Sequence, residues 1–160
     1  MPLTTLREFL DAHYVKYVVI SHSPAYTAQG IAALTHIPGK ELAKTVVVKI
    51  DGRLAMAVLP ASVHVDLRLL QKAAGAKTVE LAAEGEFKDR FPDCETGAMP
   101  PFGNLYGLEV FADESLAQDR EITFNAGSHR ELVRLTWADF AKLVKPKVVG
   151  FATGRQAEAA

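Results

Sequence analysis

The chain has 160 residues, 49% of them hydrophobic and 23% charged, values that suit one globular domain with a real core. The formal net charge is -1, which excludes a global basic field for nucleic acid and confines any such contact to a local patch. A single cysteine, Cys94, excludes an intrachain disulfide framework and a cysteine-rich metal site, and fits a reducing compartment.

The N-terminus, Met1-Pro2-Leu3-Thr4-Thr5, lacks the basic start and apolar run of a signal peptide. No apolar run is long enough to span a bilayer, so the expected location is the cytoplasm. Leu3, Leu6, Phe9, Leu10, His13, Tyr14 and Tyr17 recur at helical spacing, with Thr4 or Thr5 as caps and His13 as a packing residue. A strand follows over Tyr17 to Ser21. Thr27 caps a second helix through Leu34, and Pro38-Gly39 ends it. Two apolar runs, 45–50 and 54–59, flank Asp51-Gly52, a strong hairpin signal because both turn residues must tolerate φ > 0. Strands so apolar belong in the middle of a sheet or barrel.

Asp66 caps a helix from Leu67 to Ala74, with Gly75 at its end. Thr78 to Leu81 reads as a short strand, and Ala82 to Phe91 as a helix stopped by Pro92. Leu105 to Phe111 reads as a strand and Glu114 to Ala117 as a helical turn. Glu121 to Asn125 and Glu131 to Leu135 form a strand pair turning through Gly127. Thr136 caps a last helix, Trp137 to Val144, ended by Pro146. The interspersed elements and the hairpins predict one mixed α/β domain over residues 1–150, a mixed sheet or barrel with surrounding helices. Residues 151–160 read as a flexible tail.

Three places carry candidate chemistry. In Gly97-Ala98-Met99-Pro100-Pro101-Phe102-Gly103, two glycines bracket two prolines and an aromatic. Proline can join neither a helix interior nor an inner strand, while glycine permits close approach, so a stiff loop with open ends results. Its backbone N–H groups, prolines excepted, are candidate oxyanion donors, and Met99 with Phe102 would make an apolar pocket wall. Lys44 stands before an apolar strand, where it either holds a phosphate or carbonyl oxygen as a point charge or is a solvated strand-end lysine. Gly127-Ser128-His129 sits in a turn, either presenting N–H groups and an imidazole to a ligand or forming an ordinary turn, with Asn125 as a polar wall. The five histidines include no His-Glu-x-x-His and no cysteine pairing, so no metal site is expected. Neither a phosphate-binding glycine motif nor a Gly-x-Ser-x-Gly elbow occurs. Basic residues thicken near the end (Arg130, Arg134, Lys142, Lys145, Lys147, Arg155), the one region where an RNA backbone meets several cations.

Taken together and in order, Lys44, the Gly97-x-x-x-Pro101 loop and Gly127-x-His129 resemble the YbaK/prolyl-tRNA synthetase-associated domain family, from about Ser21 to Val144. The resemblance implies that family's mixed α/β barrel-like fold and a trans-editing aminoacyl-tRNA deacylase, hydrolysing the ester of tRNA(Pro) carrying a small amino acid. It implies that Lys44 anchors the 3′-terminal adenosine and supports catalysis. Gly97 to Pro101 would hold the ester carbonyl and the aminoacyl group, and His129 would stand beside the aminoacyl moiety. Ala98, Met99, Pro100, Pro101, Phe102, Gly103, Asn125, Gly127 and Ser128 would complete the substrate site. The partners it implies are the 3′-terminal adenosine and acceptor end of aminoacyl-tRNA, with a synthetase as the further candidate; no cofactor is implied. An activated ester needs an aimed water and a stabilised oxyanion more than a strong nucleophile, which suits this set. The alternative is a non-catalytic module of the same fold that binds an aminoacyl group, a nucleotide or a protein partner.

Overall fold

The computed structural model describes residues 2–21, 41–95 and 97–153. The expected second helix over Thr27 to Leu34 lies outside them. Helix α1 (Pro2–Ala12) leads to β1 (Val18–Ser21), then β2 (Leu42–Ile50), β3 (Arg53–Pro60) and β4 (His64–Val65). Next come α2 (Leu67–Ala74), β5 (Val79–Leu81) and the one-turn α3 (Glu84–Phe87). Strands β6 (Glu109–Asp113), β7 (Glu121–Asn125) and β8 (Glu131–Thr136) precede α4 (Trp137–Val144), β9 (Lys147–Val149) and β10 (Ala152–Thr153).

One mixed sheet runs β1-β8-β7-β2-β3-β6-β9, with β5 also pairing β2, while β4 and β10 pair separately. The β2–β3 hairpin is antiparallel in unbroken register from Ala43↔Pro60 to Ile50↔Arg53. Its turn places Asp51 at φ 51 and Gly52 at φ 83, the left-handed pair that the Asp-Gly dipeptide supplies. Strand β7 joins β2 in parallel, and β6 joins β3 in parallel.

Both faces of this sheet are covered, which explains why Ala55 to Leu59 is an unbroken apolar run, each residue at most 3% exposed. On one face, Val47, Met56, Val58, Ile122, Phe124 and Val133 meet Leu6 and Leu10 of α1 and Phe140 of α4. On the other, Val48, Ile50, Ala57, Leu59 and Phe111 meet Leu70 of α2 and Phe151. The caps of α2 follow the sequence: Asp66 accepts from Arg68 N at 3.0 Å and Leu69 N at 3.1 Å, and Gly75 has φ 64.

Several elements differ from the sequence expectation. Helix α1 ends at Ala12 because Tyr14 takes φ 57 and Val15 N–H reaches back to Leu10 O at 3.1 Å, a Schellman closure without the usual glycine. His13 is therefore exposed, its ring tilted against Phe9 with centroids 4.5 Å apart, and Thr4 and Thr5 lie inside the helix. The expected helix over Ala82 to Phe91 shrinks to α3 and a 3₁₀ turn (Lys88–Arg90), since the Glu86 side chain folds back onto Ala83 N at 2.8 Å. The expected strand from Leu105 starts only at Glu109, because Tyr106 N and Leu108 N both close onto Gly103 O at 2.9 Å. The packed chain also extends past 150. Asp113, 4% exposed, accepts from Phe151 N and Ala152 N, each at 2.9 Å, and so holds Phe151 in the second core.

Candidate active site

The site is built around a gap in the sheet. Strand β7 pairs β2 only at Leu42 and Ala43, and β5 pairs it only from Val48 to Ile50. Lys44 to Val47 lie between, on an edge that no described strand occupies. Alternation fixes what each residue presents there. Leu42 O accepts from Ala61 N at 2.7 Å on the β3 side, whereas Val47 O accepts from Ala82 N at 3.0 Å on the other. Odd-numbered residues of β2 thus turn their N–H and C=O towards the open edge, Thr45 among them.

A groove of about 250 Å³ follows this edge, lined by Thr45, Val46, Val47, Leu81, Ala82, Phe87, Gly97 and Met99. Thr45 carries the one side-chain hydroxyl in that lining. The glycine–proline loop reaches the groove through Gly97 and Met99 because it is stitched to the β7–β8 turn. Glu95 N donates to Gly127 O at 2.8 Å, and Gly127 N donates to Ala98 O at 2.8 Å. Gly97 at φ 84 and Gly127 at φ 100 provide the left-handed backbone that this double bond requires. The buried His129 ring lies against Gly97, its Cε1 3.7 Å from where a Cβ on that residue would stand. Its backbone N–H donates to Glu95 Oε1 at 2.6 Å. Ala98 N is occupied by Glu95 O at 3.0 Å.

Lys44 approaches from the other side. It pairs with Leu59 and shares its face with Leu42 and Val46, opposite Thr45 and Val47. It is half-buried, and burial lowers its pKa from the usual lysine value. Asn125 ends β7 on that same face, since its neighbour Phe124 points into the first core, and its Oδ1 is buried without a hydrogen-bond partner. The structure therefore brings Gly97, Ala98, Met99, Gly127 and His129 together around one end of the gap. Lys44 and Asn125 flank it from the second face.

The rest of the loop does different work. Phe102 does not line the groove; it is fully buried, with ring centroids 5.5 Å from both Phe124 and Phe140. Pro100 and Pro101 are buried as well. Gly103 packs so tightly that an added Cβ would stand 2.5 Å from Leu108 O. Ser128 serves its own turn, accepting from Arg130 N and donating to Glu131 Oε1, each at 3.3 Å. Two residues at the site had no sequence signal. Thr45 reads as one more strand residue, and the partner of Glu95 is 34 positions away. Among the described residues, no helix is long and apolar enough to cross a membrane.

Known proteins resemble this chain in sequence and in fold. A family model described as an aminoacyl-tRNA editing domain matches residues 22–143. The chain is 30% identical over 138 residues to the multifunctional Ser/Thr-tRNA deacylase ProXp-y of Escherichia coli K12, covering 83% of this chain and 82% of that protein. It is 26% identical over 137 residues to the proline–tRNA ligase of Leuconostoc citreum, covering 84% of this chain but 24% of the ligase. A solved chain proposed as a trans-editing enzyme for prolyl tRNA synthetase superposes with a TM-score of 0.81 at 20% identity, covering 96% of this chain and 98% of that one. The chain belongs to the aminoacyl-tRNA editing domain family, and with it to the deacylases that hydrolyse the ester linking an amino acid to tRNA.

Proposed function

We propose that this protein acts in trans, in the cytoplasm, on tRNA mischarged with serine or threonine, tRNA(Pro) being the first candidate. The observation that carries this reading is the interrupted edge of β2. It supports the reading because the Thr45 N–H faces this edge, Gly97 lines the groove there with His129 packed against it, and Lys44 follows on the opposite face of the same strand. The 30% identity over 82% of the Escherichia coli deacylase supports this reading. The groove suits a small side chain, and the Thr45 hydroxyl gives a hydroxylated one a partner. A site built to hydrogen-bond a hydroxyl rejects analogues that lack it.

In this reading the ammonium of Lys44 anchors the terminal adenosine and the ester end. The Thr45 N–H, aimed at the open edge, stabilises the oxyanion as the carbonyl is attacked. Gly97 and Met99 bound the aminoacyl group, His129 closes its far side, and the Asn125 amide oxygen accepts from the substrate's amino group. Water attacks the already activated ester, and the terminal ribose hydroxyl leaves with the proton. No protein nucleophile is required, because the enzyme's contribution is orientation and charge stabilisation.

The test is a deacylation panel of tRNA(Pro) and other tRNAs charged with serine, threonine, alanine and cysteine, using wild type and Lys44→Ala. Hydrolysis of the seryl and threonyl species, with correctly charged tRNA spared and Lys44→Ala inactive, is the expected result. No turnover by wild type anywhere on the panel would leave the non-catalytic binding module as the better reading.

A further inference from the structure

Arg134 stands in β8 opposite Thr123 of β7 and opposite Val18 of β1. Cross-strand partners share a face, so Arg134, Thr123 and Asn125 project from the same side of the sheet as Leu42 and Lys44. The opposite side of these strands is the first core, through Ile122, Phe124, Val133 and Leu135. Arg134 is half-buried, and its Nε is shielded from solvent with no hydrogen-bond partner. Among the described residues, the ion pairs engage Lys49 and Lys147, not Arg134. A guanidinium cannot shed its proton to escape burial. Its Nε is a shielded donor that nothing among the described residues satisfies, and an anion reaching this face would satisfy it.

The geometry says where that partner lies. Two strand spacings of about 4.8 Å and an offset of two residues put the Lys44 and Arg134 backbones roughly 12 Å apart. Two long side chains reduce this to the span of one nucleotide. We propose that Arg134 binds the phosphodiester that precedes the terminal adenosine of the tRNA, while Lys44 serves the ester end. The identity of the ligand rests on the deacylase reading; the cation and its position rest on the sheet register. Thr123, buried between the two basic residues, separates them as a neutral spacer.

The experiment is an equilibrium titration of an uncharged, fluorescently labelled RNA ending in CCA into wild type, Arg134→Gln and Arg134→Lys. Arg134→Gln is expected to weaken binding about tenfold and to reduce the slope of log affinity against log salt by about one, with Arg134→Lys recovering part of both. Adenosine, which has no phosphate, binds wild type and Arg134→Gln alike. Inorganic phosphate competes with the RNA on wild type more strongly than on Arg134→Gln. Thermal melting separates this role from a structural one: Arg134→Gln holds Tm, because the Nε makes no hydrogen bond among the described residues, whereas a structural arginine would lower it. Equal RNA affinity in all three proteins, an equal loss for RNA and adenosine, or no RNA binding by wild type at low salt would overturn the proposal. Binding needs no turnover. A wild type that binds RNA through Arg134 yet hydrolyses no charged tRNA would defeat the deacylase reading alone. Hydrolysis with an unchanged affinity in Arg134→Gln would defeat the Arg134 proposal alone.

Discussion

Glu95 Oε1 accepts the backbone N–H of His129 at 2.6 Å, and this one carboxylate ties the glycine–proline loop to the β7–β8 turn. The same residue donates its own N–H to Gly127 O and accepts Ala98 N–H at its carbonyl. A charge-assisted bond of this kind contributes about 1.5–3 kcal/mol. Glu95→Ala should lower kcat by at least about tenfold, equivalent to roughly 1.4 kcal/mol in the barrier, with little change in KM. Glu95→Gln keeps an acceptor oxygen and should restore most of the rate. Single-turnover deacylation by the two variants, with thermal melts beside it, checks this. Equal loss in both would mean that the carboxylate does more than hold the loop.

The two glycines that bracket the loop should respond oppositely. Gly97 has φ 84 but ordinary contact distance to His129, so Gly97→Ala strains the backbone by about 1 kcal/mol and should act mainly on activity. Gly103 has no room: its Cβ would meet Leu108 O at 2.5 Å and Val110 Cγ2 at 2.6 Å. Gly103→Ala should destabilise the fold by about 3 kcal/mol. Chemical denaturation and deacylation on the same two preparations separate the effects.

Thr45 should set the preference for hydroxylated amino acids. Thr45→Val keeps the shape and removes the hydroxyl. The ratio of kcat/KM for seryl-tRNA over alanyl-tRNA should then fall about tenfold, the worth of one hydrogen bond of about 1–1.5 kcal/mol. An unchanged ratio would place the specificity elsewhere in the groove.

The pH dependence follows from Lys44. Burial lowers its pKa below the usual 10.5, so the ammonium is lost at a lower pH than on a solvated lysine. If the ammonium anchors the tRNA, KM should rise on the alkaline side earlier than for an exposed cation. Lys44→Arg, which stays charged, should flatten that limb whatever its effect on kcat. The stability sign is opposite: a lysine depressed in the fold penalises the folded state while charged, and the penalty fades as pH rises from the folded pKa through the unfolded one. KM and denaturation midpoints between pH 7 and pH 10 test both.

Local chemistry made much of this protein readable from its sequence. The Asp51-Gly52 hairpin, the Asp66 and Thr136 caps and the left-handed Gly75 each follow from a few adjacent residues, because turn and cap energetics are short-ranged. The ordered set of Lys44, the Gly97 loop and Gly127-x-His129 identified the family for the same reason: each part is a short motif. Elements whose ends depend on distant partners were not readable. Tyr14 ends α1 without a glycine, and Phe151 is held by an aspartate 38 residues away.

The tertiary structure alone decided how the site is arranged. Nothing in the sequence marks the interruption between β7 and β5, where no described strand pairs Thr45 on that edge, or shows that Lys44 lies on one face of β2 and Met99 on the other. Nor does it show that Phe102 belongs to an aromatic core, that Glu95 clamps His129, or that Arg134 shares a face with Lys44. The sequence determined which chemical groups are present and the local turns that carry them. Their directions came from strand register and long-range packing, in which a shift of one residue reverses every side chain.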